Sequence, residues 1–515
     1  MGPAARQRLS EGKGEALGRR FAGPWIVGAA LLTWLGGTNE AEAAEIRVGA
    51  RTIGEGYVVM APGEEPRLLR RRRLVQYVNL GAYELLPPAQ ADQWRREPED
   101  GQLEIVASLR LRHDFGDFVG GAGPDSGPVL QSVDGRQIDL LYGYLQGRQI
   151  GGFLDFRLGR QSELSGLDWY AFDGGWARVT TPAHLAIEVF GGLQVNGAQL
   201  FGWPTWQLDG TSGNEGADRA GSPMIGTAVS LAQVDWVHAR VAYRRTFTPA
   251  AINRKIVEPT GAADGSTEPL ASGVDQELVS ATVDFDLFDG VLTPYAAVRL
   301  NLATLRVDDI SAGAAVALSK QHLIRAQYLR TVPNFDLDSI FNLFTVQPIE
   351  DLRVSYQVRP GSDWTLLGTG SLRLFRNQQT ARLHVAPEKP IDTGWGAAMA
   401  AAWQQQRVSA RADAFVMGGQ GGLRAGGSLD GQVRVAYDRI GLDLRTYFTH
   451  YRDDQVEARH GYGVSFQTGA DFQLWKGIHL TLLAEEMVTP FLRHAFRGLG
   501  ILSMDWSFRT GRRGS

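Results

Sequence analysis

The sequence has no cysteine among its 515 residues. A chain without cysteine has no disulfide framework, no thiolate metal site and no lipidated cysteine behind a signal peptide. It also has no internal run of the roughly 18–20 apolar residues that a helical membrane span requires. With 52 Lys and Arg against 56 Asp and Glu, it carries no large basic excess, so we expect no nucleic-acid partner.

Recognisable catalytic and metal-binding motifs are missing as well. There is no Walker loop, no H-E-x-x-H and no G-x-S-x-G. The nine histidines are scattered, and the nearest to a cluster, His450 and His460 with Asp453 and Asp454 between them, are expected to lie in a polar outer loop. We therefore predict that the protein is not an enzyme and holds no metal or other cofactor.

The sequence contains instead a repeated pattern of short alternating segments. From about residue 103 to 509, we count about twenty candidate strands by their period-2 alternation. The gaps between them alternate between long and short. Long polar gaps lie at 116–135, 161–170, 196–222, 249–274, 333–349, 376–392, 452–459 and 489–499, and tight turns lie at 147–149, 181–183, 289–290, 320–321, 361–362, 405–406 and 476. This asymmetry is typical of a transmembrane β-barrel with extracellular loops and periplasmic turns.

The individual segments also have two distinct faces. In 408–416, one face is apolar (Val408, Ala410, Ala412, Ala414 and Val416) and the other carries Ser409, Arg411 and Asp413. A soluble antiparallel sheet gives the same alternation, but these segments are about ten residues long, which suits a tilted membrane crossing. Soluble strands average nearer five or six residues. Aromatic residues at the short-turn ends predict an interfacial girdle: Trp236, Phe288, Trp364, Trp403 and Trp475.

These patterns predict an all-β protein, a closed antiparallel transmembrane barrel of about 20 strands (range 18–22) in the bacterial outer membrane. Residues 1–43 are expected to be a cleaved signal peptide, with a basic start, an apolar stretch from Phe21 to Leu35 and an A-x-A site at 41–43. The barrel itself is expected to span 103–515.

Residues 44–102 differ from the rest because they contain several prolines and the basic run Arg70–Arg73. We expect this segment to lie in the periplasm or to insert into the lumen. The stretch 74–82 has β character and is an alternative candidate for an additional strand.

Charged residues on the polar faces of the strands are the candidate functional residues. Opposed basic and acidic groups along a lumen create a transverse field that orders water and selects solutes; they also stabilise the wall through ion pairs. The predicted pore-lining residues are Arg110, Asp155, Arg157, Arg178, Asp284, Asp286, Arg299, Arg411, Asp413, Arg434, Asp443, Arg445, Asp471 and Glu485.

One short stretch resembles a known family. Residues 155–161 read Asp-Phe-Arg-Leu-Gly-Arg-Gln and residues 172–175 read Phe-Asp-Gly-Gly, which is similar to the "lrlGRQ…fDG" hairpin of alginate-export-type porin-like barrels. The resemblance implies a monomeric barrel with an arginine-rich lumen that passes solutes or polysaccharide. The last strand ends on Phe508, similar to the aromatic-ended strand that barrel assembly machinery recognises, although seven residues follow it here.

The sequence thus predicts a porin-like channel for passive passage of small polar solutes or for export of a polymer. The expected partners are outer-membrane lipid, the barrel assembly machinery and those solutes. The alternative is a non-conducting structural or surface-display barrel whose extracellular loops bind a partner.

Overall fold

The computed structural model describes residues 44–60, 68–86, 101–115, 135–195, 222–247, 274–303, 305–332, 348–376, 391–419, 422–436, 438–453, 460–489 and 494–510. Within these ranges no helix is long and apolar enough to cross a membrane. The predicted signal peptide 1–43 and most of the predicted outer loops lie outside the described residues.

The described chain forms 22 strands. They are β1 (Ala44–Met60), β2 (Leu68–Tyr83), β3 (Gln102–Phe115), β4 (Gly135–Ile150), β5 (Leu154–Ser165), β6 (Asp168–Thr180), β7 (Leu185–Gln194), β8 (Pro223–Leu231), β9 (Val237–Phe247), β10 (Val274–Phe285), β11 (Leu292–Asn301), β12 (Arg306–Ser319), β13 (His322–Thr331), β14 (Ile349–Val358), β15 (Trp364–Arg376), β16 (Ile391–Gln404), β17 (Val408–Gly419), β18 (Leu423–Val435), β19 (Ile440–Arg452), β20 (His460–Trp475), β21 (Ile478–Val488) and β22 (His494–Thr510).

The strands form one closed antiparallel sheet. Each strand pairs with the next one along the chain, and β1 also pairs with β22, from Ala44 opposite Thr510 to Met60 opposite His494. This closing pair turns the sheet into a barrel, the all-antiparallel architecture in which strand edges are removed by closure. The predicted closed antiparallel barrel is confirmed, and its strand number falls in the predicted range.

The prediction for 44–102 is wrong where the structure describes it. The twenty strands counted between about 103 and 509 correspond to β3–β22, but β1 and β2 lie inside the supposed separate segment. The stretch 74–82 belongs to β2, which pairs with β1 on one side and β3 on the other. The described part of the wall therefore begins at Ala44, and neither β1 nor β2 plugs the lumen.

The strand register gives the sheet two chemically different faces. On β17, Ala412 lies beside Ala401 of β16 and Leu429 of β18, whereas its neighbour Arg411 lies beside Ala402 and Asp430. The apolar face is also the exposed one on other strands around the barrel. Its large exposed side chains include Ile187, Val189, Ile225, Val229, Val241, Met399, Leu429, Phe448, Val464 and Phe466. In a membrane barrel such a face is turned to lipid and the polar face to the lumen.

The aromatic residues predicted to form a girdle lie at one rim, which we call the turn rim. Its short connections include residues 151–153, 181–184, 320–321, 405–407 and 476–477. Trp364 and Trp403 are paired in register, with ring centroids 6.4 Å apart, and Trp236 lies 6.4 Å from Phe285. Large exposed rings at this level suit the boundary between hydrocarbon and headgroups.

Candidate functional site: an infolded hairpin and the charged inner face

The hairpin β5–β6 leaves the barrel wall before it reaches its tip. Pairing of β5 with β4 ends at Arg160, and pairing of β6 with β7 ends at Phe172. Residues 162–165 pair with residues 168–171 across a two-residue tip, Gly166–Leu167. We call residues 161–171 the infolded hairpin. The predicted outer loop at 161–170 is therefore wrong, because this stretch continues both strands and turns inward.

The infolded hairpin crosses the inner face of five neighbouring strands. At its tip, a Cβ on Gly166 would lie 3.2 Å from Cβ of Ser280 on β10. Beside the tip, Asp168 forms a 3.0 Å ion pair with Arg299 of β11. Further back, the Arg244 guanidinium of β9 lies 4.6 Å above the ring of Tyr170. These partners belong to the polar face, so the hairpin lies inside the barrel.

An apolar cluster fills the space between the hairpin and the wall. Leu167 and Phe172 are completely buried, and Tyr170 stacks on Phe190 of β7 with centroids 5.5 Å apart. The cluster is completed by Met224, Ala228, Ala242 and Leu278 from β8, β9 and β10. Burying an apolar side chain contributes roughly 1.5–3 kcal/mol, so this contact holds the hairpin against one side of the lumen.

Three interactions fix the point where the hairpin bends. Arg160 forms two parallel 2.7 Å hydrogen bonds with the carboxylate of Asp173, and its third nitrogen donates to the carbonyl oxygen of Leu140 at 3.0 Å. Leu140 lies on β4 beyond the last residue that pairs with β5. The guanidinium therefore hydrogen-bonds a carbonyl oxygen of β4 that β5 no longer reaches after it turns inward. The buried Gln161 side chain donates to the carbonyl of Gly174 at 3.3 Å.

Glycine is required where β6 and β7 approach each other at this bend. A Cβ on Gly174 would collide with the carbonyl oxygen of Gly191 and would lie 2.7 Å from Cα of Gly192. The residues that carry the resemblance to alginate-export-type barrels, Gly-Arg-Gln at 159–161 and Asp-Gly at 173–174, are thus the residues that set the inward bend. Their physical role in this chain is to position the infolded hairpin.

The predicted pore-lining residues that belong to strands occupy the polar face by register, and the structure adds their individual partners. Asp155 lies opposite Arg178 in the register of β5 and β6. Arg110 pairs with Asp139 at 2.7 Å, and Arg157 pairs with Glu163 at 2.6 Å. Asp139 and Glu163 were missed because their pairing depends on strand register and on the inward bend.

The remaining predicted residues follow the same pattern on other strands. Arg299 bridges Asp168 and Asp309, and Asp284 hydrogen-bonds His238 at 2.9 Å. Asp471 accepts a hydrogen bond from Thr481 at 2.7 Å and Glu485 accepts one from Ser465 at 3.1 Å. Asp286 and Arg434 lie near the turn rim, where their backbone nitrogens donate to the carbonyls of Trp236 and Arg407.

A charged group on β17–β19 lies away from the infolded hairpin. Arg411 lies 3.8 Å from Asp413, and Arg445 forms an ion pair with Asp430 on the adjacent strand. Asp413 also accepts a 2.6 Å hydrogen bond from Ser428. Asp430 was not identified from the sequence, although its position two residues after Ser428 on the polar face of β18 carries the necessary period-2 signal. Asp443 occupies the same face of β19 as Arg445.

The position of the hairpin predicts a specific cross-link. Cysteines introduced as Gly166→Cys and Ser280→Cys have Cβ positions close enough for a disulfide, and the native chain offers no competing thiol. We expect the double variant to form an intramolecular disulfide during export, seen as faster migration on a denaturing gel without reductant. The control pairs Gly166→Cys with Ser428→Cys, on the inner face of β18, and should stay reduced. Equal cross-linking of both pairs would contradict the position of the infolded hairpin against β10.

No protein-family model matches this sequence, and no curated protein matches it. Among solved structures, it is similar to Acinetobacter baumannii OccAB4 (TM-score 0.41, 7% identity, 91% of this chain and 100% of that chain) and to Pseudomonas aeruginosa OccK5 (OpdH) (TM-score 0.41, 8% identity, 91% and 99%). A BenF-like porin from Pseudomonas fluorescens Pf-5 is also similar (TM-score 0.39, 9% identity, 90% and 99%). The chain's own strand pairing and apolar exterior make it an outer-membrane β-barrel.

Proposed function

We propose that the protein is a porin-like channel through which small polar solutes cross the outer membrane passively. The observation that carries this proposal is the continuous charged inner face, on which ion pairs recur from β3 to β19 while the hairpin covers only the sector from β7 to β11. Such a face keeps water and polar solutes in the lumen.

The infolded hairpin gives this channel its constriction. A lumen bounded by this many strands is wide and usually needs internal narrowing. The apolar cluster closes one sector, and the remaining sector stays lined by polar groups, including the pairs Arg110–Asp139 and Arg373–Asp351. Because both signs occur along this lining, we expect weak charge selectivity rather than a strictly anionic or cationic pore.

The proposal has a defined orientation and defined partners. The turn rim faces the periplasm and the opposite rim faces outward, as expected from the predicted loop lengths. Lipid contacts the apolar exterior, and barrel assembly machinery recognises β22, where Phe508 lies on the lipid-facing side opposite Ile46 of β1.

The direct test is conductance of the purified protein in a planar bilayer, with reversal potential measured across a salt gradient. Removing positive charge with Arg411→Ala, Arg434→Ala and Arg445→Ala together leaves Asp413, Asp430 and Asp443 unopposed. We expect the reversal potential to shift toward cation selectivity, because fixed negative charge attracts cations.

The matched control removes the negative charges of the same region. Asp413→Asn, Asp430→Asn and Asp443→Asn together should shift selectivity toward anions by a comparable amount. Shifts of the same sign in both triple variants would show that this region does not line the conducting path. A parent protein without any conductance would overturn the channel and favour the display barrel.

A further inference from the structure

A cavity, separate from the apolar cluster, opens on the polar face of β22 and β1–β5. Its volume is about 930 Å³, and Ser162 of the infolded hairpin contributes to its lining. Binding sites for small molecules typically enclose roughly 300–1,000 Å³. The cavity therefore has the size of a solute-binding site and borders the base of the infolded hairpin.

Three tyrosines give this cavity flat apolar surfaces with polar edges. Tyr142 and Tyr144 are two residues apart on the same face of β4, and their ring centroids lie 6.1 Å apart. Tyr83 of β2 lines the same cavity. Tyrosine buries a large ring face while its hydroxyl continues to hydrogen-bond, which suits a solute that is itself flat on one face and polar at its edges.

Arginine side chains fix two of these rings in place. Arg47 lies 4.8 Å from the centroid of Tyr83, and Arg157 lies 5.9 Å from that of Tyr144 and 4.7 Å from that of Trp176. Cations over ring faces are attracted by the ring quadrupole. The aromatic surfaces are thus held by the wall and are prearranged before any solute arrives.

The charged side chains around the cavity are mostly held in ion pairs. Three arginines (Arg47, Arg148 and Arg157) and three carboxylates (Glu45, Glu104 and Asp505) line it. Arg47 pairs with Glu45 at 2.8 Å, Arg148 with Glu104 at 3.1 Å and Arg157 with Glu163 at 2.6 Å. Because Arg157 pairs with Glu163, which lies outside the lining, Asp505 belongs to none of these three pairs. The cavity therefore offers fixed hydrogen-bond donors and acceptors without excess positive charge, so an anionic solute gains no net attraction.

We propose that this cavity binds an uncharged, ring-shaped, hydroxyl-rich solute of one or two rings, a mono- or disaccharide. The ring stacks on the tyrosines, and its hydroxyl groups exchange hydrogen bonds with the arginine–carboxylate pairs. This inference deepens the proposed function and rests on it, because the solute reaches the cavity through the channel. The ion pairs of this cavity thus contribute to recognition of the solute as well as to the stability of the barrel wall.

The test is a calorimetric titration of the purified, detergent-solubilised protein with four probes. Glucose and maltose carry the uncharged ring; sorbitol has the hydroxyl groups without a ring; glucuronate adds a negative charge to the ring. We expect glucose and maltose to bind, and sorbitol to bind about tenfold more weakly or not at all. Glucuronate is expected to bind no more tightly than glucose.

Two variants distinguish the loss of ring stacking from a general loss of folded protein. Tyr142→Ala with Tyr144→Ala should weaken maltose binding by about tenfold or more, as loss of a stacking surface does in other ring-binding grooves. Tyr447→Ala, on the inner face of β19 and outside the cavity, should leave it unchanged. Equal binding of sorbitol and glucose, tighter binding of glucuronate, or equal losses in both variants would overturn the proposal.

Conductance measured on the same samples distinguishes the two proposals. Maltose should reduce the ion current of the parent channel, and less so in the variant lacking both tyrosines. Conductance without any sugar binding would overturn the saccharide site and keep the channel. Sugar binding without conductance would overturn the channel while supporting the cavity as a binding site on a closed barrel.

Discussion

Ala397→Arg is expected to abolish assembly of the barrel, whereas Ala398→Arg should assemble at the parent yield. The two alanines are adjacent, exposed and central in β16. Ala397 shares the lipid-facing side with Trp395 and Met399, which are 51% and 70% exposed. A cation facing lipid at mid-membrane costs roughly 2–4 kcal/mol, and one facing the lumen stays hydrated.

The measurement is the fraction of folded protein in the outer membrane, read from the shift in gel mobility between unheated and heated samples. The matched positions remove residue type, strand and depth as explanations, so the two variants differ only in the face that receives the arginine. Equal yields would show that the face assignment of β16 is wrong. The assignments of β15 and β17 would then be wrong as well, because both strands are paired in register with β16.

Removing the infolded hairpin is expected to widen the channel. Gln161 and Phe172 lie directly opposite each other in register, so replacing Ser162–Ala171 by a two-residue Asn-Gly turn closes the shortened hairpin in a favoured geometry. Pairing of β5 with β4 and of β6 with β7 is untouched by this change. We expect single-channel conductance to rise roughly twofold or more, because the narrowest cross-section limits ion flow.

The control keeps the hairpin and alters a side chain that faces away from the apolar cluster. Leu164 is 79% exposed on the infolded hairpin, so Leu164→Ala should leave folding and conductance close to those of the parent. An unchanged conductance after excision of the hairpin would place the constriction elsewhere in the lumen. A rise in both variants would indicate that the exposed side chain, rather than the hairpin backbone, limits the current.

The period-2 pattern predicted most of the wall because it reports a local property. Whether Arg411 and Ala412 face opposite sides depends only on alternation along one strand, and this held for β3–β22. β1 and β2 were missed because the prolines and the basic run Arg70–Arg73 distinguish residues 44–102 from the rest of the chain, although the stretch 74–82 showed β character. The run Arg70–Arg73 lies at the end of β2 away from the turn rim, where alternation is not required.

The inward bend was not predictable from the same information. Residues 161–171 have the polarity of an outer loop because one of their faces packs on the charged inner wall, through Tyr170 against Arg244 and Asp168 against Arg299. Those contacts join positions far apart in the sequence and depend on the curvature of the whole barrel. The partners Asp139 and Glu163 likewise became visible only with the strand register and the inward bend.

The pairing of β1 with β22 also sets the order in which the molecule acquires its structure. All other pairings join consecutive strands, so they can form as successive hairpins at a small loop-closure cost. The seam joins Ala44 to Thr510 and uses all 17 residues of each strand, so it forms only after the entire chain has been delivered. Until then the first and last strands present open edges that invite pairing with other chains. Loss of β22 alone would therefore leave nearly all local pairings intact and yet produce an aggregation-prone, unsealed sheet.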